Sequence, residues 1–261
     1  MSQMLSRRML GEALAITALM VPGQVVASSP SLSTPVPSVA PAKPETRTGV
    51  IELAGKAYAY LPKGMDNRPR PLLVSLYGAG GQASAVLDAY REFADREGFI
   101  LMIPTSRRGT WDMIEDLKSR IGIEMNVTPR YGKDLKAIDA ALAELFTKIA
   151  VDPKRIGIVG FSDGATYALS IGTANPHLFR TVIAFSPGPA FPTKFDPNQN
   201  VFISHGENDD ILPYANTRGI VSKLRVKKMP VTFEKFSGKH EVPRDIREKA
   251  LALFMGKPLG S

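Results

Sequence analysis

The feature that most restricts what this chain can fold into is the passage from Arg155-Ile156-Gly157-Ile158-Val159 through Gly160-Phe161-Ser162-Asp163-Gly164 into Ala165 to Ala174. The first stretch has the apolar pattern of a buried strand, the last that of a helix, and no ordinary loop separates them. A chain turning so sharply holds the central serine in strained backbone. A side chain two positions to either side would meet the neighbouring strand or helix, hence glycine at 160 and 164. The turn lifts the Ser162 hydroxyl above the carboxyl ends of the strands, at a helix N-terminus where amide dipoles favour negative charge. Gly-x-Ser-x-Gly alone arises by chance in about one chain in ten, so the surrounding pattern has to carry the argument.

That pattern alternates short β-like runs with longer helical ones. Strands are expected at Val50 to Leu53, Ala57 to Leu61, Leu72 to Leu76, Ile100 to Ile103, Arg155 to Val159, Thr181 to Phe185, Val201 to Ser204 and Val231 to Phe236. Leu135, Ile138, Leu142, Leu145, Phe146 and Ile149 keep the three-and-four spacing of an amphipathic helix. Ser84 to Arg96, Ala165 to Ala174, Tyr214 to Lys227 and Arg244 to Phe254 read as helices on weaker spacing. An early antiparallel pair followed by β-α alternation predicts an α/β fold: a mostly parallel eight-stranded sheet with helices on both faces.

A serine hydroxyl is a poor nucleophile until a base takes its proton, and the chain has three histidines. His177, in Asn175-Pro176-His177, reads as a surface loop residue, and His205, between an apolar strand and Gly206, as a local hydrogen-bonding residue beside the site. His240, in the loop after the last strand, is the candidate base. The acid is expected between serine and histidine in chain order, at the end of a later strand. The segment Ser204-His205-Gly206-Glu207-Asn208-Asp209-Asp210 supplies Asp209, with Asp210 as rival and Glu207 as a more distant one. Its work is to hold the imidazole in the tautomer that accepts the serine proton; the alternative is that Asp209 caps the following helix. An oxyanion needs donors: the Asp163 N–H, and an N–H from the glycine-rich run Leu76-Tyr77-Gly78-Ala79-Gly80-Gly81, with Ala79 the expected residue. No Gly-Lys-Ser/Thr ending follows that run, which disfavours a phosphate-binding loop.

Cysteine is absent, so disulfides, thiolate metal sites and cysteine nucleophiles are excluded. The formal charge is +8, and basic stretches at Lys223, Arg225, Lys227 and Lys228 and at Arg244, Arg247 and Lys249 read as solvated helix faces, with no nucleic-acid motif beside them. Ser6-Arg7-Arg8 precedes the apolar run Ala13 to Val21, then Pro22-Gly23 and the small-residue site Val25-Val26-Ala27-Ser28. This is the pattern of a cleavable bacterial signal peptide over 1–27, too short for a membrane span. The paired arginines leave the twin-arginine and general secretory routes both open, and the expected location is periplasmic or secreted. Residues 28–47, rich in Pro, Ser, Ala and Thr, read as an extended linker, and 48–261 as one catalytic domain.

From about Val50 to Phe254 the chain resembles bacterial α/β-hydrolases of the phospholipase/carboxylesterase and polyhydroxybutyrate-depolymerase-like esterase group. The matching segments are the run at 76–81, Thr110-Trp111-Asp112, Tyr131-Gly132-Lys133-Asp134, the pentapeptide at 160–164, Ala184-Phe185-Ser186-Pro187-Gly188 and Ser204-His205-Gly206. The resemblance implies the α/β-hydrolase fold and a serine hydrolase with Ser162, Asp209 and His240 as its triad. It implies neither cofactor nor metal, and a small-molecule or lipid-like ester as substrate. A peptidase, a polyester depolymerase, and a non-catalytic binding protein on the same scaffold are the competing readings. Such proteins usually carry histidine before the first glycine of the oxyanion run; here it is Tyr77, whose hydroxyl is a candidate to assist there. Tyr77 and the single tryptophan, Trp111, are expected at the substrate, with a core position the alternative for Trp111.

Overall fold

A computed structural model describes residues 30–121 and 127–258. The leader expected at 1–27 lies outside them, and among them no helix is long and apolar enough to cross a membrane. The elements follow in the order β1 (Gly49–Leu53), β2 (Ala57–Leu61), β3 (Arg70–Leu76), α1 (Ala83–Glu97), β4 (Ile100–Ile103), α2 (Asp112–Arg120) and α3 (Lys133–Lys148). The second half runs β5 (Val151–Phe161), α4 (Asp163–Ala174), β6 (Thr181–Phe185), β7 (Asn200–Gly206), α5 (Tyr214–Val226), β8 (Val231–Phe236) and α6 (Arg244–Phe254). A short 3-10 turn, Ala54–Lys56, joins β1 to β2. The eight strands form one sheet in the order β1-β2-β4-β3-β5-β6-β7-β8. β1 and β2 are antiparallel to each other and β2 to β4, while every pair from β4 to β8 is parallel.

The two faces of the sheet bury separate cores, as the period of two along a strand requires. Leu72, Val74, Ile156 and Ile158 point to the side covered by α3, α4 and α5, and Leu73, Leu101 and Val159 to the side covered by α1 and α6. α4 is buried almost all round, as befits a helix packed between the sheet and the surrounding loops. The helix α2 was not expected from the sequence. It is nine residues long, with Met113, Ile114 and Leu117 buried, a stripe too short to stand out between charged residues.

The parallel register gathers the functional loops on one edge. Leu76 pairs with Gly160, Phe161 with Phe185, Phe185 with Ser204, and Gly206 with Phe236. The segments after β3, β5, β7 and β8 therefore leave the sheet side by side.

Residues 30–47 are extended, as their prolines require, but the first part is bound to the domain. Leu32 is buried in the core. The Asn175 side chain accepts the Leu32 N–H at 2.9 Å and donates to the Pro30 carbonyl at 2.8 Å. Asp139 on α3 accepts the N–H of Ser33 at 3.0 Å and of Thr34 at 2.9 Å, and both hydroxyls as well.

Candidate active site

Ser162 stands where β5 passes into α4, with φ 56° and ψ −125°. A non-glycine residue so placed costs about 1–3 kcal/mol and persists only where its surroundings hold it. Here its N–H donates to the Phe185 carbonyl at 3.0 Å, and its own carbonyl accepts the N–H groups of Ala165 and Thr166 at 2.9 and 3.0 Å. The flanking glycines are demanded by distance. A Cβ at Gly160 would lie 2.1 Å from the Gly164 carbonyl oxygen, and one at Gly164 would lie 2.3 Å from that of Leu76. Any larger residue at either position pushes backbone against backbone.

His240 lies in the turn between β8 and α6, its ring packed against Phe161 at 4.8 Å between centroids. Its Nε2 is 2.8 Å from Ser162 Oγ and its Nδ1 2.7 Å from Asp209 Oδ2. An ionised carboxylate only accepts, so Nδ1 carries the ring proton and Nε2 presents its lone pair to the serine hydroxyl. The structure thus brings together Ser162, His240 and Asp209, residues spread over 78 positions of the chain.

The Asp209 side chain is 0% exposed, and every oxygen has a donor. Oδ1 accepts the N–H groups of Ile211 and Leu212, each at 2.9 Å. Oδ2 is shared between His240 and a second histidine, His205, whose Nε2 lies 3.0 Å away. Burial by itself would raise the Asp209 carboxyl, but the His240 bond and the Leu212 and Ile211 amides outweigh it and hold it below the ordinary carboxylate range. Asp209 thus also closes the turn after β7, while α5 begins further on, behind Pro213. Asp210 points outward, 64% exposed beside Lys239, and Glu207 pairs with Lys235 at the surface.

Sequence reasoning set His205 beside the site without finding its contact with the acid. It is fully buried. Its Nε2 faces two acceptors, the Leu212 carbonyl at 2.9 Å and Asp209, so the proton sits there; Nδ1 accepts from the Thr217 hydroxyl at 2.7 Å. Burial lowers its pKa, and the nearby Asp209 opposes that without reversing it. A neutral His205 therefore fixes the carboxylate from behind. His177 is exposed beyond the far end of α4.

Above Ser162 lies the loop after β3. A Cβ at Gly78 would come within 3.0 Å of Ser162 Cβ, so the main chain there closes directly over the nucleophile. Around this loop and the turn at Ser162, neither the Ala79 nor the Asp163 N–H donates to any of the bonds that close the turns. The loop is tied down by its neighbours: Gly80 N–H donates to the Gly109 carbonyl at 2.7 Å, Gly81 N–H to the Gly78 carbonyl at 3.0 Å, and Trp111 Nε1–H to the Tyr77 carbonyl at 2.8 Å. The Asp163 carboxylate is drawn aside by the Thr110 hydroxyl at 2.7 Å and Lys118 at 3.4 Å.

Two expectations need correction. Trp111 does not wall a substrate pocket: it is 0% exposed, stacked on Tyr167 at 5.3 Å and tilted against Tyr77 at 5.3 Å. Its indole N–H must find a buried acceptor, and the one it finds is the Tyr77 carbonyl at the start of the loop after β3. The Tyr77 hydroxyl is likewise not turned to the nucleophile. It accepts the Ser106 N–H at 2.8 Å, while the residue lines the cavities beside the loop.

The motifs around Asp112 and Asp134 prove to be architectural. Asp112 accepts the N–H groups of Gly132 and Asp134 at 2.9 and 2.8 Å and the Tyr167 hydroxyl at 3.0 Å, and Asp134 accepts the Asp112 N–H at 2.9 Å. Each carboxylate caps the other's helix start. Burial, reinforced by the charge of Asp112, raises the Asp134 carboxyl. Among the described residues no group of acidic and histidine side chains is arranged to hold a metal ion.

Residues 56–242 match the family described as the dienelactone hydrolase family. The chain is 30% identical, over 129 residues and 47% of its length, to an acetylxylan esterase of Coprinopsis cinerea. It is 26% identical, over 163 residues and 59% of its length, to a bifunctional acetylxylan esterase/xylanase of Neocallimastix patriciarum. The matched stretches are 32% and 22% of those proteins, so the chain spans a third of their length or less. Among solved structures, an S-formylglutathione hydrolase from Agrobacterium tumefaciens superposes with a TM-score of 0.59 at 17% identity, covering 85% of this chain and all of that one. A thermostable esterase gives 0.59 at 18%, over 77% of this chain and 58% of that one, and the Bacillus cereus carboxylesterase 0.54 at 22%, over 76% and 92%. At these identities the likeness establishes the α/β-hydrolase fold.

Proposed function

The chain belongs to the dienelactone hydrolase family, and from that membership and the site geometry we propose that it is an exported serine hydrolase that cleaves carboxylic esters through an acyl-enzyme. The observation that carries this reading is the continuous hydrogen-bonded line from Ser162 Oγ through His240 to Asp209. The similarity to two acetylxylan esterases supports an ester as the bond cleaved.

In this mechanism Ser162 Oγ attacks the ester carbonyl carbon while its proton passes to His240 Nε2. The imidazolium so formed is stabilised by the buried Asp209 carboxylate, which stays ionised because its pKa is lowered. The carbonyl oxygen becomes an oxyanion facing the Ala79 and Asp163 N–H groups, fixed dipoles that need no reorganisation as the charge develops. Collapse of the tetrahedral intermediate expels the alcohol, which takes the proton from His240. A water molecule then repeats the sequence on the acyl-enzyme, with His240 again as base, and releases the acid and Ser162.

Export rests on the charged, apolar and small-residue pattern of residues 1–27. Sequencing of protein from the periplasm or medium should begin at Ser28; an intact N-terminus there would refute cleavage at that site. The catalytic reading is tested by a fluorophosphonate probe together with p-nitrophenyl acetate turnover. Wild type should be labelled and active, and Ser162→Ala neither. Equal labelling of both proteins, or of neither, would remove Ser162 as nucleophile.

A further inference from the structure

The sheet edge opposite Ser162 gathers charge of one sign. Arg180, Asn200 and Pro230 stand side by side where β6, β7 and β8 begin: Asn200 N–H donates to the Arg180 carbonyl and Val201 N–H to the Pro230 carbonyl, each at 2.9 Å. α5 ends at this edge, since only Lys227 to Pro230 separate Val226 from β8. Lys223, Arg225, Lys227 and Lys228 are exposed there, as are Arg180 and Lys194. The Phe195 ring joins the two groups, its centroid 6.0 Å from Lys223 Nζ and 5.5 Å from Lys227 Nζ. Among the described residues none of these cations has an ion pair, whereas Arg155 on β5, Lys235 on β8 and Lys249 on α6 are matched by Asp152, Glu207 and Glu234. Tyr214 to Phe233 contains no acidic residue, and Asp196, the one acid between Ala165 and Gly206, accepts the Asn198 N–H at 2.8 Å.

Two details set this face apart from an ordinary solvated one. Val226 is 76% exposed between Arg225 and Lys227, and Lys228 takes φ 59°, a helix exit that favours glycine. The helix dipole accounts for cations in the last turn of α5, Lys223 and Arg225, but not for those beyond it. We infer that the face docks the protein on a bilayer of anionic phospholipid and turns the catalytic edge away from it. A plane of phosphates answers unmatched cations, each strengthening binding about fivefold at the surface. Val226 finds apolar surroundings at the headgroup boundary, which a nucleic-acid backbone or an acidic polysaccharide does not offer. The Phe195 ring is engaged by lysines and is not free to stack on a base. At the other end of α5, Tyr214 packs on His205 at 5.9 Å between centroids. The helix between them spans about 20 Å, so a docked molecule holds its triad off the bilayer and draws its substrate from the aqueous side. The docking does not depend on which reaction Ser162 performs.

The test uses the protein beginning at Ser28, which keeps every described element and lacks the apolar run Ala13 to Val21. It is sedimented with vesicles of phosphatidylcholine alone or in equimolar mixture with phosphatidylglycerol. It should bind only the mixed vesicles at low salt and be released at about 1 M salt, where the Debye length is about 3 Å. Lys227→Gln with Lys228→Gly should weaken binding about 20-fold without loss of Tm, because glycine suits the backbone at 228. Lys133→Gln with Lys136→Gln, the same charge change at the start of α3, should weaken it less than about threefold. Equal loss in both pairs would reduce the binding to net charge, and binding to a DNA duplex but not to vesicles would make the face a nucleic-acid surface. Either result, or no binding to any of them, overturns the inference. Orientation is read separately. The chain has no cysteine, so Val226→Cys and Asp210→Cys each take a single environment-sensitive dye. On mixed vesicles the emission from position 226 should shift to shorter wavelength and that from 210, at the catalytic edge, should not. A shift at 210, or none at 226, refutes the orientation.

Discussion

At the scale of single residues, two neighbouring aspartates have opposite fates. Asp209 is enclosed by two histidines and two backbone amides, and Asp210, one position on, lies in solvent. Asp209→Asn presents a donor where His240 Nδ1–H needs an acceptor, and should lower kcat on p-nitrophenyl acetate by about 100-fold or more. Asp210→Asn should change it by less than about twofold. A larger loss at Asp210 would reverse the assignment. His205 makes a prediction about pH. Its folded pKa is lowered by burial, so as pH falls through about 6.5, the ordinary histidine value, the unfolded chain binds a proton that the fold refuses. Stability contributed by this group is full above that value and is lost as pH falls towards the folded pKa. Asp209, also lowered, adds the same sign in a lower window, below about 4. Urea unfolding at pH 8 and pH 5.5 should therefore show a smaller loss of stability on acidification in His205→Gln than in wild type; an equal loss would mean that His205 is not the group responsible.

Among the elements, the loop after β3 is the one whose shape the proposed chemistry depends on, and its support comes from α2 and the segment before it. Trp111 is the last residue before α2, and α2 is anchored through the exchange of caps between Asp112 and Asp134. Trp111→Phe keeps an aromatic ring against Tyr167 but removes the donor to the Tyr77 carbonyl. A neutral hydrogen bond of this kind is worth about 1 kcal/mol, and loss of loop geometry should appear as a fall of about tenfold in kcat with KM little changed. A proportional rise in KM instead, or no kinetic change despite a lower Tm, would show that the indole serves packing alone. The same element shows where the sequence was hard to read. The Thr110-Trp111-Asp112 motif stands out, but only the folded neighbours reveal that its tryptophan faces a backbone carbonyl.

For the molecule as a whole, the domain does not start at β1. The strap at Pro30 to Thr34 crosses α3 and the end of α4, burying Leu32 and hydrogen-bonding to the side chains of Asn175 and Asp139. Leu32→Ala should destabilise the protein by about 2–4 kcal/mol without altering kcat/KM on p-nitrophenyl acetate, because the strap packs at the opposite end of α4 from Ser162. An unchanged Tm would show the strap to be dispensable. The amino-acid sequence by itself determined the alternation of strands and helices, the position of the sharp turn at Ser162 and the order of the chemical groups along the chain. Those follow from local periodicity and from the steric demand for glycine, both of which act within a few residues. Tertiary structure alone decided which aspartate meets His240, that His205 stands behind it, that Trp111 is buried, and that a proline-rich segment joins the core. Each of these depends on contacts between segments distant in the chain, brought together by strand order and register, and no local pattern encodes them.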